Sequence, residues 1–321
     1  MSAHVLRPRN GGIAFLRIIL LVLIETACTG ARFTARAGEL PVNFDQSWLN
    51  AVVSIERRPL GGSPAPIGTG FVLALPRGHA ALVTVDRGVG SGSGSGGGEL
   101  SYIRTDTAGA WAEITDKSLV DSGYGDWFTA SADGIALRLI GVSAGQPPLT
   151  AIPVESCLTD RTQVTVGADL ITLGFANGLR SGDGDPVVAR RASITGGTAT
   201  NSVLLAFVSP GNSGGPVALF ASAPEREGYG AFGSTSSAQI LVGMITSANH
   251  PSFATDSEGD AAVGVSWTES GLAEMIPAAA ILSLVKRKDV QKQMTDLEEY
   301  RKKQAESQDS KTPSQRAPAS R

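Results

Sequence analysis

From about Val42 onward, apolar residues recur in short runs separated by Gly, Pro, Asn, Asp and Ser. The first set of runs covers 52–55, 70–75, 81–85, 100–104 and 111–114. The second covers 135–140, 170–175, 187–194, 202–208, 216–220, 240–247 and 262–267. Each run is too short for a buried helix and is bounded by turn residues, so the pattern predicts strands of an antiparallel sandwich or barrel. These runs are read as two barrels, with a connection at 141–153. The period changes only near the end. After Pro277, 278–285 reads as a helix, and Val290, Met294 and Leu297 continue a thin apolar stripe at i, i+4 and i+7. Charges dominate from Lys286, and from about Gln304 the chain is rich in Ser, Lys, Pro and Ala. The segment 286–321 therefore reads as a solvated tail, partly helical and then disordered, in preference to a partner-binding helix.

Composition supports the β reading, because 39 Gly and 17 Pro among 321 residues punctuate too often for a helical protein. With 42% hydrophobic residues the chain can bury a large core. The net charge of −3 is scattered and offers no basic footprint, so nucleic acid is not an expected partner. Residues 1–37 have the layout of an export signal: Arg7 and Arg9, an apolar run over 18–24, then small residues and Ala35-Arg36-Ala37. The apolar run is too short for a permanent membrane span, and the expected destination is the periplasm or the exterior. Cys28 resembles a lipid-anchoring cysteine, but Glu25 stands where Leu is usual, so anchoring there is the less favoured reading. Removal of the signal leaves Cys157 alone, which excludes an internal disulfide and reads as a small buried apolar residue. The Ser-Gly run over 91–98 reads as a mobile loop. It lacks the Gly-Lys-Ser/Thr ending of a phosphate cradle.

The chemistry concentrates at Pro210-Gly211-Asn212-Ser213-Gly214-Gly215-Pro216, between two predicted strands. Three glycines permit backbone angles closed to other residues, so the N–H groups of Gly211 and Ser213 can converge on one oxygen beside the Ser213 hydroxyl. A serine hydroxyl needs two kinds of help: a base to take its proton and donors to hold the developing oxyanion. The turn suits the second task. Scattered histidines and isolated acids give no metal-ligand spacing, and no cofactor motif is present.

At these residues the chain resembles the trypsin-like (chymotrypsin-fold) serine peptidases, especially exported bacterial members poor in disulfides. Gly68-Thr69-Gly70-Phe71-Val72 looks like the family's G-T-G-F strand, and Ala81-Leu82-Val83-Thr84 like the strand that delivers its histidine. Ile171-Thr172-Leu173-Gly174-Phe175 and Leu241-Val242-Gly243-Met244-Ile245 are similar to strands of the second barrel. The resemblance covers 42–285. It implies two six-stranded antiparallel barrels with a C-terminal helix, a nucleophile at Ser213 and an oxyanion hole at Gly211 and Ser213. It also implies an extended peptide or protein substrate paired along Thr246, Ser247 and Ala248, and a small or apolar pocket lined by Phe207.

Two positions depart from the family. Asp133-Gly134-Ile135-Ala136-Leu137 resembles the start of the strand carrying the triad acid, but Gly134 adds one residue. A one-residue slip turns a side chain to the opposite face, so Asp133 is either the acid or a turn residue. At the base position, Thr84-Val85-Asp86-Arg87 puts Arg87 where the family has histidine. A guanidinium stays protonated at neutral pH and cannot accept the serine proton. Of the three histidines, His4 belongs to the signal and His79 to a surface turn at the far end of its strand, about 17 Å from Thr84. His250 follows the substrate-side strand. The expectation is thus a peptidase homologue with impaired hydrolysis. An active endopeptidase with an unrecognised base and a peptide- or protein-binding pseudoprotease are the alternatives.

Overall fold

A computed structural model describes residues 44–59, 62–89, 98–105, 111–141, 149–159, 164–175, 187–197, 203–205, 211–219, 239–246 and 273–311. A short helix α1 (Ser47–Ala51) leads into the first sheet. Its strands are β1 (Val52–Pro59), β2 (Ala65–Leu75), β3 (His79–Val85), β4 (Gly98–Thr105), β5 (Trp111–Thr115), β6 (Phe128–Ala130), β7 (Ile135–Ile140) and β8 (Ile152–Pro153). Helix α2 (Asp116–Asp121) follows β5. The strands pair in the order β5-β4-β1-β2-β3-β7-β6, all antiparallel, and β8 adds to β2 in parallel. The second sheet contains β9 (Asp169–Gly174), β10 (Val188–Gly197), β11 (Val203–Leu205), β12 (Pro216–Leu219), β13 (Ile240–Thr246) and β14 (Ala273–Pro277). It closes as a six-stranded barrel in the order β10-β11-β14-β13-β12-β9. Helices α3 (Ala278–Val285) and α4 (Lys288–Lys311) end the described chain. The protein is all-β with two antiparallel sheets and a C-terminal helix, the class that the sequence leads one to expect.

The alternation of side chains along each strand explains why the apolar runs are nearly continuous. Val72, Leu82 and Ala136 point into a core on one face of the first sheet, with Val53, Ile55, Leu100 and Tyr102. Their neighbours Phe71, Leu73, Val83, Ile135 and Leu137 point to the other face. There they join Ile171, Leu173, Phe175, Leu241 and Met244 of the second sheet in one shared core. Leu170, Ile194, Val217, Val242 and Ile245 fill the interior of the barrel. Strands with two buried faces read as unbroken apolar segments. Buried Cys157 lies in the shared core, and burial pushes its thiol up to about 12.

Two local features differ from the sequence reading. The tail is not solvated where it starts: α4 runs to Lys311, and Val290, Met294 and Leu297 are buried in the shared core. His79 is not a surface residue either. It opens β3 at 3% exposure, with Nε2 3.0 Å from Oε1 of Glu298 on α4. The two corrections have one cause, because α4 packs over the end of the first sheet where β3 begins. Arg77 also reaches Glu298 at 3.2 Å, and Arg287 donates to the Thr129 carbonyl at 2.7 Å.

Candidate active site at the Ser213 turn

The turn at 211–215 is held from both sheets. On its own side, the Gly214 N–H donates to the Ile245 carbonyl at 2.7 Å, and the Ile245 N–H donates to the Gly215 carbonyl at 2.9 Å. The Gly215 N–H closes the turn on the Asn212 carbonyl at 2.8 Å. Gly211 and Gly214 have φ of 91° and 87°, in the left-handed region that favours glycine. Space adds a second requirement at Gly214, where a Cβ would overlap the Thr69 carbonyl oxygen and the Thr84 hydroxyl.

From the first sheet, Thr69 makes the attachment. Its N–H donates to the Ser213 carbonyl at 2.9 Å, and its Oγ1 donates to the Gly211 carbonyl at 2.8 Å. The same Oγ1 accepts the Phe175 N–H at 3.0 Å, which ties in the end of β9. Thr84 in turn donates from Oγ1 to the Thr69 carbonyl at 2.7 Å. Both threonines are buried, so these bonds exclude water. Their strands are legible in the sequence and their roles are not. The available signal was a hydroxyl between two glycines at 68–70 and another closing the apolar run of β3, positions where an aliphatic residue would otherwise pack.

The turn's N–H groups divide in two. Those of Gly214 and Gly215 are bonded, whereas those of Gly211 and Ser213 make no backbone hydrogen bond to another described residue. Ser213 is half-buried. Asn212 is fully buried, and neither Oδ1 nor Nδ2 has a hydrogen-bond partner among the described residues.

Arg87 and Asp133 stand on adjoining segments of the first sheet. Arg87 lies in a single 3₁₀ turn, Asp86–Gly88, that follows β3, and it is exposed. Asp133 lies in the 131–134 turn before β7, with its N–H on the Ala130 carbonyl at 2.9 Å, and it is also exposed. The two segments meet where the Asp86 N–H donates to the Gly134 carbonyl at 3.0 Å, one step beyond the Val85↔Ile135 pair. Gly134, with φ of 70°, closes the turn, and β7 pairs with β3 from Ile135 onward. Thr246 closes β13 directly after Ile245, which carries two of the turn's bonds. Phe207, Ser247, Ala248 and His250 lie outside the described residues.

The first sheet also buries Arg138, which donates to the Gly125 carbonyl at 3.0 Å and pairs with Asp116. Tyr102 bonds the same carboxylate, and burial with that neighbouring charge raises its pKa well above the usual phenol range. These polar groups pair within the first sheet. Among the described residues no group of three or more His, Cys, Asp and Glu is placed to hold a metal ion. No described helix is long and apolar enough to cross a membrane.

No protein-family model matches this chain, and no curated protein matches it. Among solved structures it is similar to the protease Anisep from Arthrobacter nicotinovorans, at 11% identity and a TM-score of 0.46, covering 74% of this chain and 95% of that one. A thermostable serine protease, AL20, from an extremophilic microorganism is similar at 9% identity and a TM-score of 0.45, covering 74% of this chain and 96% of that one. Human heparin binding protein (CAP37) is similar at 11% identity and a TM-score of 0.45, covering 76% and 92% respectively.

Proposed function

We propose that this chain is a trypsin-like serine-peptidase homologue that keeps the nucleophile turn, has lost the proton acceptor, and holds extended peptide with impaired hydrolysis. The observation that carries this reading is Arg87, on the turn that ends β3, while Thr84 of the same strand is tied through Thr69 to the Ser213 turn. Ser213 takes the nucleophile position and Asp133 the acid position. Gly211 and Ser213 supply oxyanion donors. Thr246, Ser247 and Ala248 pair with substrate backbone through edge hydrogen bonds, and Phe207 lines a pocket for a small or apolar side chain. A guanidinium cannot serve as general base, and loss of the base in such a triad costs on the order of 10⁶ in turnover. Residues 1–37 act as the export signal in this reading.

Fluorophosphonate labelling of the full chain, with an active serine peptidase as control, tests the proposal. No labelling, together with measurable peptide binding, is the expected result. Rapid labelling that disappears in Ser213→Ala overturns it in favour of an active endopeptidase with another base. Arg87→His then asks whether the base is all that is missing, and a gain in peptide hydrolysis is the expected answer.

A further inference from the structure

The corner between α3 and α4 contains no helix breaker. Residues 278–311 include neither Gly nor Pro, and the two residues between the helices, Lys286 and Arg287, are both good helix formers. The helical pattern runs into the corner before it tightens. The Lys286 N–H donates to the Leu282 carbonyl at 3.0 Å, as in an α-helix, and the Arg287 N–H then takes the nearer Leu284 carbonyl at 3.1 Å. Side chains hold the bend. Nε2 of Gln291 donates to the Val285 carbonyl at 2.8 Å, and Oδ1 of Asp289 accepts the Val290 N–H at 2.9 Å. Arg287 pairs with Asp289 at 2.7 Å and donates to the Thr129 carbonyl. A straight helix would replace these caps by backbone bonds from the N–H groups of Lys288, Asp289 and Val290 to the carbonyls of Leu284, Val285 and Lys286. The corner therefore has two ways to satisfy the same groups.

The groove on the first sheet is matched to α4 in shape and in charge. A Cβ at Gly125 would overlap the Gln293 amide nitrogen, and one at Gly123 would lie 3.3 Å from the Tyr300 ring. Glu298 meets Arg77 and His79, and Arg301 donates to the Tyr124 hydroxyl at 2.8 Å. The occupant that this surface fits is an α4. From these observations we infer that α4 is exchanged between two copies of the chain. In each copy the corner straightens, 278–311 becomes one helix of about 50 Å, and its α4 part lies in the groove of the other copy. The groove contacts are the same in monomer and dimer, so the two differ at the corner, as in other domain swaps. Straightening without exchange would leave Val290, Met294 and Leu297 in water, which is why a second α4 must fill each groove. The exchange does not depend on the peptide-binding reading.

Native mass spectrometry of the full chain, refolded from urea at low and at high concentration, provides the test. A dimer that grows with concentration is expected, and monomer throughout overturns the inference. Proline suits the first position of a helix but not its interior, so Lys288→Pro should keep the melting temperature of the monomer and weaken the dimer at least about 100-fold. Gln291→Ala removes a cap that only the bent corner uses, and should raise the dimer share. An undiminished dimer in the first variant, or an unchanged share in the second, overturns the inference. Should Lys288→Pro fail to fold, Gln291→Ala decides alone. Mixing Arg77→Glu chains with Glu298→Arg chains separates exchange from side-by-side association. Each variant alone sets like charges against each other in its groove, whereas a mixed exchanged dimer has opposite charges in both. Co-refolding should give the mixed dimer in excess of random pairing, and random or lower yield counts against exchange.

Discussion

Thr69 is the residue on which the geometry of the turn depends most. Its hydroxyl is shared between the Gly211 carbonyl and the Phe175 N–H, so removing it leaves an unpaired acceptor and an unpaired donor in a buried place. Thr69→Val keeps the shape and deletes the oxygen, which should cost about 1–3 kcal/mol. Thr69→Ser, which keeps the oxygen, should recover most of that, and urea unfolding of the two variants checks it. Positive φ at Gly211 and Gly214 follows from the glycines in the sequence, so the shape of the turn was legible there. The identity of its anchor was not, because the partners of Thr69 come from residues more than a hundred positions away. Arg87 and Asp133 were legible as departures. Their positions on the segments following β3 and preceding β7 required the strand register.

At the scale of elements, α4 acts as a strap. Its buried face is narrow, three residues at i, i+4 and i+7 amid many charges, which is why the sequence pattern alone points to solvent. Lys292 and Asp296 pair with each other at 2.6 Å on the exposed side of the helix, whereas Glu298 reaches His79 and Arg77 of the first sheet. Met294→Ala distinguishes the two readings: a residue in the shared core should cost about 2–5 kcal/mol, whereas one on a solvated helix stays within about 0.5. Thermal and urea unfolding give the value directly.

Glu298 adds a pH dependence to the same strap. The hydrogen bond with His79 holds its carboxyl below the usual range, helped by the charge of Arg77, and Arg301 acts in the same direction. A lowered folded-state value means that the contribution is fully present above the ordinary carboxylate pKa and is lost as pH falls through the folded one. The melting temperature of the parent chain should therefore exceed that of Glu298→Gln at neutral pH, with the gap closing in acid. A constant gap from pH 7 to pH 3 would remove this account. The pairing was invisible in sequence because His79 and Glu298 are 219 residues apart.

Across the whole molecule, two sheets share one core and each has an interior of its own. The runs were readable as strands, but the set opening with 135–140 does not divide as the sheets do, because Ile135–Ile140 is β7 and pairs with β3. The eight-stranded make-up of the first sheet was not legible either, because α2 and the two-residue β8 interrupt the pattern. Helix α2 did leave a mark, since Thr115 and Ser118 form a capping box at its start. The shared core makes a prediction at this scale. With its thiol pushed up to about 12 by burial, Cys157 should resist alkylation at pH 8 in the native state and react on global unfolding. Mass spectrometry of the peptide containing Cys157, with and without urea, measures it.

The order of the pieces along the chain has a consequence for how the protein is made. β14, α3 and α4 complete the barrel and cover the shared core, and all three lie within residues 273–311. A ribosome delivers them after every other described strand. Until they emerge, β11 and β13 lack the strand that joins them, and the apolar surface beneath the helices faces water. The growing polypeptide thus stays open through most of its synthesis. Exposed apolar surface and unpaired strand edges make such an unfinished chain prone to associate with its neighbours until the helices dock.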